Sequence, residues 1–330
     1  MTDLDQRDRE VLAAMQKEFP VASTPYAIIG QMVDMSEKEV IKRAMRLRQR
    51  GVIRSIQIQW DPRALGCTIA LVIASVEEEK LKDAIDVVNG HPGVSQNYRR
   101  NHEFNLWFTI CLPADSNLGL DSTISTIEEE GGISRIHALP ALRTYRDGVL
   151  DEDPEPRIPD QSSKRRIRAL QGELPIQPRP FDSIARKLSE SPDDLIDWIR
   201  EQKEQGTIAQ IGAVAASPKR FSTSAMGVWK VPEERVDQVA RAFSEDESIS
   251  SSTVREARED WPYNVFTIIQ GRSVDECERT MGRLGDMANL VDYRSLFPLE
   301  EYKRTRTNPV PTELETWERQ HSSGSTSAAS

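Results

Sequence analysis

The chain reads as an α+β protein in which a winged helix-turn-helix followed by a ferredoxin-like βαββαβ unit occurs twice, the two copies forming a pseudo-dimer. Three observations predict this: an internal repeat, a helical apolar period that gives way to strands in each copy, and a join of prolines and acids between the copies. In the repeat, Phe19-Pro20, Pro25-Tyr26, Ile29, Gly51 to Ile53 and Ile56 return as Leu174-Pro175, Pro180-Phe181, Ile184, Gly206 to Ile208 and Ile211. Further on, Phe104 to Thr109 is echoed by Tyr263 to Thr267. With 330 residues, 38% of them hydrophobic, there is enough material for more than one buried core.

In the first copy, short helices are expected from about Asp5 to Glu18 and Tyr26 to Met32. Ser36 to Glu39 is a capping box, and Val40, Ile41, Ala44, Met45 and Leu47 then recur at helical spacing until Gly51. An extended stretch, Val52 to Trp60, completes the winged unit. The β-α-β-β-α-β order follows: strand Thr68 to Ser75, helix Glu77 to Asn89, strands Val94 to Arg99 and Asn105 to Leu112, helix Ser116 to Glu130, strand Ile133 to Thr144. The second copy has helices at Lys164 to Gly172 and Phe181 to Leu188, then one opened by Ser191-Pro192 with proline at the first helical position. Its extended stretch is Thr207 to Ala215. Its second unit has strands Met226 to Val231, Ser250 to Glu256, Asn264 to Gln270 and Leu290 to Leu296, with helices Pro232 to Ser244 and Ser273 to Leu284. The domains are therefore 1–60, 61–150, a linker at 151–163, 164–216, and 217–306. The Ser/Thr/Gly-rich end, 307–330, has no apolar period and is expected to be mobile.

A net charge of −10 argues against a surface devoted to nucleic acid or anionic membrane. No stretch reaches the ~18 apolar residues of a spanning helix, and the first residues are polar and acidic, so a cytoplasmic, membrane-free protein is expected. Cys67, Cys111 and Cys277 lack the spacing of a metal or disulfide framework.

A winged helix-turn-helix joined to a ferredoxin-like unit resembles the leucine-responsive regulators, the Lrp/AsnC-like family. Sharper segments point elsewhere. The stretch from Gly93 through Tyr98, Arg99, Arg100, Asn101, His102, Glu103 and Phe104 to Thr109 resembles the signature of one siroheme decarboxylase subunit. Glu259 to Thr267 and Glu300 to Arg306 resemble those of the other, so the chain, over about residues 3–308, is similar to the fused two-subunit form. The resemblance implies non-oxidative removal of the C12 and C18 acetate carboxyls of siroheme to give 12,18-didecarboxysiroheme, on the way to haem or to the nitrite-reductase haem. It implies no separate cofactor, because the iron arrives within the substrate. Its partners would be siroheme and either homologous subunits or further copies of the chain, with no nucleic acid.

Siroheme is an apolar macrocycle ringed by eight carboxylates, so a pocket for it needs cationic forks and flat hydrophobic surface. Arg99, Arg100, Arg255 and Arg258 are the candidate forks; Asn105, Trp107, Trp261 and Tyr263 complete the candidate substrate-binding set. Decarboxylation needs the leaving carboxylate held and a proton delivered to carbon. His102 is the first candidate for the acid or for a ligand of the substrate iron, with Tyr98 second and Arg100 holding the carboxylate. His91, His137 and His321 have weaker claims.

Three positions depart from the family pattern. Gln96 stands where a histidine usually precedes Asn-Tyr, Ser251-Ser252-Thr253 replaces His-Cys-Tyr, and Gln270 replaces the histidine of Ile-His-Gly. Neither serine nor glutamine can stand in for imidazole. The second half is then a scaffold, or the first half is the site, or a separate partner supplies histidines. Two rival classes remain. One is a DNA-binding regulator, favoured by six basic against two acidic residues in Ser36 to Arg50 but opposed by two against five in Ser191 to Gln205. The other is a non-catalytic tetrapyrrole-binding subunit.

Overall fold

The computed structural model describes residues 4–215 and 223–322. In chain order the first half contains α1 (Gln6–Lys17), α2 (Pro25–Met32), α3 (Glu37–Gln49), β1 (Ile53–Trp60), β2 (Thr68–Ser75), α4 (Leu81–Gly90), β3 (Val94–Arg100), β4 (Leu106–Leu112), α5 (Gly119–Glu130), β5 (Arg135–Pro140), β6 (Arg143–Arg146) and β7 (Val149–Leu150). The second contains α6 (Gln161–Leu170), α7 (Asp182–Leu188), α8 (Pro192–Glu204), β8 (Ile208–Ala215), β9 (Thr223–Trp229), α9 (Val236–Ser244), β10 (Ile249–Val254), β11 (Val265–Gly271), α10 (Val274–Ala288), β12 (Tyr293–Leu296), β13 (Pro298–Arg304) and α11 (Leu314–Ser322). These fall into two compact units, one within Met1–Gly66 and Pro154–Pro218, the other within Cys67–Asp153 and Lys219–Ser330.

The first unit holds both helix-turn-helix motifs. Ser36 accepts from the Glu39 amide at 3.3 Å, and Ser191 takes the Asp193 and Asp194 amides, so both expected caps form. Gly51 and Gly206 end their helices at φ +71° and +76°, a backbone that favours glycine. Val11, Met15, Ile29, Val40, Ala44 and Leu47 close the first motif, and Ile167, Ala185, Leu195 and Ile199 the second. The wings β1 and β8 pair antiparallel, with Ile58 opposite Ile211, and so join the two motifs in one ribbon.

In the second unit, strands run β13-β3-β4-β2-β5 in one sheet and β12-β9-β11-β10-β6-β7 in the other. Period-two alternation sends Ala70, Val72 and Ala74 toward α4 and α5, while Ile73 joins Trp107, Leu139, Val228, Trp261 and Phe266 in a core shared by the two sheets. Each half also lends a strand to the other. β6 pairs with β10 and β13 pairs with β3, setting Glu300 opposite Arg99 and Glu301 opposite Tyr98. Two of the family-like stretches, far apart in sequence, thus lie side by side.

Three boundary expectations are corrected. The strand expected as Ile133 to Thr144 stops at Pro140, and Arg143 starts a new strand in the other sheet. The linker is shorter, since Asp160 accepts from the Ser163 amide at 2.7 Å and starts α6 inside it. The end is not a mobile tail as far as residue 322: Val310 and Leu314 are buried and α11 is docked, while 323–330 lie outside the described residues. Composition hid the reason, which is one carboxylate. Buried Glu318 takes the Ser116 hydroxyl at 2.5 Å, the Asn117 amide at 3.1 Å and its side-chain nitrogen at 2.9 Å, capping the approach to α5. Trp317 meanwhile stacks on His321 at 4.0 Å and meets His91 edge-on at 4.3 Å. Glu318→Ala leaves these donors unmet and is expected to cost about 2–3 kcal/mol, read as a lower urea midpoint at unchanged slope.

Candidate functional site

The pseudo-twofold relation of the halves shows which residues are twins. Arg100 donates its backbone N–H to Asn105, and Arg255 donates to Asn264, at 2.9 Å in both cases. The Asn105 amide clasps the main chain of Val76 through both its oxygen and its nitrogen (3.0 and 2.8 Å), and Asn264 clasps Val231 identically. Asn105 is therefore occupied in holding the end of β2, a correction to its expected substrate role. By the same register Trp107 is the twin of Phe266, and not of Trp261.

Arg100 and Arg255 form the feature that stands out. Arg100 Nη1 donates to the Leu296 carbonyl at 2.9 Å, and Arg255 Nη1 donates to the Leu139 carbonyl, so each arginine crosses to the last strand of the opposite ferredoxin-like unit. In both, Nε is buried with no hydrogen-bond partner, and no carboxylate pairs with either guanidinium among the described residues. Burial pulls each well below the usual arginine range, to about 10, which still leaves both cationic at neutral pH. The guanidinium of Arg100 lies over Trp107 at 5.4 Å and Tyr98 at 5.7 Å; that of Arg255 lies over Phe266 at 5.4 Å. Arg255 also lines a cleft of about 300 Å³ together with Arg143 and two carboxylates, Glu233 and Glu256, too small for a macrocycle.

The remaining expected residues differ. Arg99 pairs with Glu78 at 2.7 Å and Arg258 with Glu256 at 2.9 Å, so their charges are already answered on the surface. Trp107 and Trp261 are 1% and 0% exposed and meet edge-on at 5.4 Å in the core between the sheets, so they pack and do not face a ligand, which corrects their expected role. Tyr263 is buried against Trp261, its hydroxyl directed to Asp292 at 3.4 Å. Tyr98 is half-buried beside Arg100, and burial first, with Glu301 adding to it, raises its phenol.

His102 closes the turn between β3 and β4. Its Nδ1 accepts from the Phe104 amide at 3.1 Å, so the neutral ring carries its proton on Nε2. Burial, opposed by Glu103 and aided by Arg294 and Arg135, lowers its pKa. Neither nitrogen then offers a lone pair to iron while the turn is intact, which corrects its expected role as an iron ligand. A second imidazole lies across the same aromatic wall. His137, on β5, is 5.4 Å from Phe104, and its Nε2 is 2.7 Å from Asp260 Oδ1; Asp260 also pairs with Arg135 at 3.3 Å. Asp260 was visible only as part of the Glu259 to Thr267 stretch, and His137 only as a lone histidine. No sequence spacing joins residues so far apart.

Comparison with known proteins agrees with this architecture. Residues 8–54 and 163–208 match the siroheme decarboxylase NirDL-like HTH domain, and 64–146 and 221–303, half of the chain, match the AsnC-like ligand binding domain. A siroheme decarboxylase of Hydrogenobacter thermophilus is 28% identical over 93% of this chain and 96% of its own. A crystal structure of the siroheme decarboxylase NirDL, in co-complex with an iron-uroporphyrin III analogue, superposes with TM-score 0.84 at 28% identity, covering 96% of this chain and 99% of that one. The chain belongs to the siroheme decarboxylase family. Within the family, the alpha subunit of Oleidesulfovibrio alaskensis is 36% identical over 46% of this chain and 93% of its own, so a single copy of the repeat accounts for nearly all of that subunit. The duplicated domain matches also establish the tandem α+β architecture of this family member.

Proposed function

We propose that the chain binds siroheme and removes its C12 and C18 acetate carboxyls as carbon dioxide, leaving methyl groups. The observation that carries this is the Arg100 and Arg255 pair. A half-buried cation left without a counter-charge is costly, and an anionic ligand recovers part of that cost. Two such cations, twofold-related and backed by Trp107 and Phe266, suit an aromatic ring with carboxylates on several sides. The protein holds a carboxylate, the macrocycle takes up the electron pair as the C–C bond breaks, and a proton replaces the lost carbon dioxide. The iron belongs to the substrate and no separate cofactor enters. The setting is cytoplasmic, and none of the helices described is long and apolar enough to cross a membrane.

The regulator reading loses part of its support. In α3, Arg43 and Arg46 are paired with Asp5 and Asp8 at 2.5–3.3 Å, and Arg48 with Glu173 at 2.8 Å, so these three of the six cations of this basic stretch are already answered by carboxylates of the same chain. No nucleic-acid partner is proposed, and a duplex DNA titration at low salt is expected to show no salt-dependent binding.

The test is anaerobic incubation of the full chain with siroheme and mass analysis of the extracted tetrapyrrole. Loss of two carboxyls is the expected result. Siroheme that stays bound and unchanged would instead favour a tetrapyrrole-binding subunit.

A further inference from the structure

His137 and Asp260 come from opposite halves, yet meet within the second unit at 2.7 Å. His137 pairs across β5 and β2 with Ile73 and so points to the face where the two sheets meet. Its surroundings are polar on one side and aromatic on the other. Arg135 bridges Asp260 at 3.3 Å and Glu103 at 2.9 Å and lies 4.7 Å over the ring of Phe104, while Phe104 touches both His137 and Trp261. An ionised carboxylate accepts from Nε2–H, so it fixes the orientation of the ring and leaves Nδ1 without a partner on Asp260. His137 is 22% and Asp260 34% exposed, so a ligand can reach the pair.

The pair has no twin in the other half among the described residues. Leu139 and Leu296 are twins through the arginines that bind them, which makes Arg294 the twin of His137. Among the described histidines, His91 is fully buried, His102 spends Nδ1 on the turn, and His321, though paired with Glu130 at 3.3 Å, lies against Trp317 on α11 and away from the seam between the sheets. We infer that His137, oriented by Asp260, is the proton donor to the carbon that loses its carboxylate, and that the reacting arm therefore sits at the β5 edge of the first ferredoxin-like unit. This rests on the siroheme decarboxylase reading. The C–C bond to the carboxylate breaks, its pair passes into the macrocycle, the imidazolium proton forms the new C–H bond, and solvent reprotonates the imidazole.

The experiment uses the full chain and siroheme, reading binding by absorption and decarboxylation in a single turnover. His137→Gln is expected to bind siroheme within about threefold of wild type while the rate falls by about 10²–10⁴. Asp260→Asn, with Arg135 and Glu103 still in place, removes the carboxylate that holds the ring; the single-turnover rate is then expected to fall by about 10- to 100-fold while siroheme binding stays within about threefold of wild type. An active wild type with an equally active H137Q overturns the inference alone. So does a D260N chain that turns over at the wild-type rate. A wild type that binds siroheme and releases no carbon dioxide overturns the functional reading and takes this inference with it.

Discussion

Replacing Arg100 by methionine is expected to weaken siroheme binding by about 10- to 100-fold, the equivalent of one charge-assisted carboxylate contact at roughly 1.5–3 kcal/mol. Methionine keeps the stem that packs over Trp107 and Tyr98 and removes only the cation. The variant gives up one bond to the Leu296 carbonyl, yet it also removes an unpartnered buried nitrogen, so its thermal stability should change little. Arg255→Met tests the other side. If the substrate engages both halves the two losses will be comparable; if one half is a scaffold, one variant will bind as wild type does. Because both guanidiniums titrate near pH 10, wild-type affinity should be flat from about pH 6 to 9 as far as they are concerned. An isothermal titration with siroheme across that range checks all three statements.

The second large effect is structural. Trp261→Ala should cost about 3–5 kcal/mol, because its ring meets Trp107, Phe104, Tyr263 and His102 at 5.0–5.5 Å and nothing nearby is free to fill the cavity. Unfolding by guanidinium should show a lowered midpoint. Siroheme binding by the fraction that remains folded should be near normal, which separates a packing residue from one that contacts the ligand. A selective loss of affinity with an unchanged midpoint would return Trp261 to the binding surface.

Much of the fold was legible because it rests on local chemistry. Ser36, Ser191, Gly51 and Gly206 mark helix ends by what their side chains can or cannot do, and the β2 stretch is a short apolar run rich in β-formers, which reads as a buried strand. What escaped was non-local. Nothing in Glu300 to Arg304 says that it will pair with Gln96 to Arg100, and nothing in the Ser- and Thr-rich end says that Glu318 will find the start of α5. The site divides in the same way. Arg100 and Arg255 could be named in the sequence only as residue types, and Arg99, Arg258 and Asn105 looked equal to them until their partners were visible. The His137 and Asp260 pair was illegible in principle, since it exists only once the two halves are placed face to face.

The exchanged strands also set a timetable for biosynthesis. β3 is synthesised almost two hundred residues before β13, the strand that covers its outer edge. At about 5–20 residues per second, that edge waits roughly ten to forty seconds on the ribosome with its backbone groups unpaired. A bare edge of this kind invites pairing with neighbouring nascent chains. Arg99 and Arg100, two adjacent charges on the waiting strand, are the kind of residues that discourage such pairing until β13 arrives.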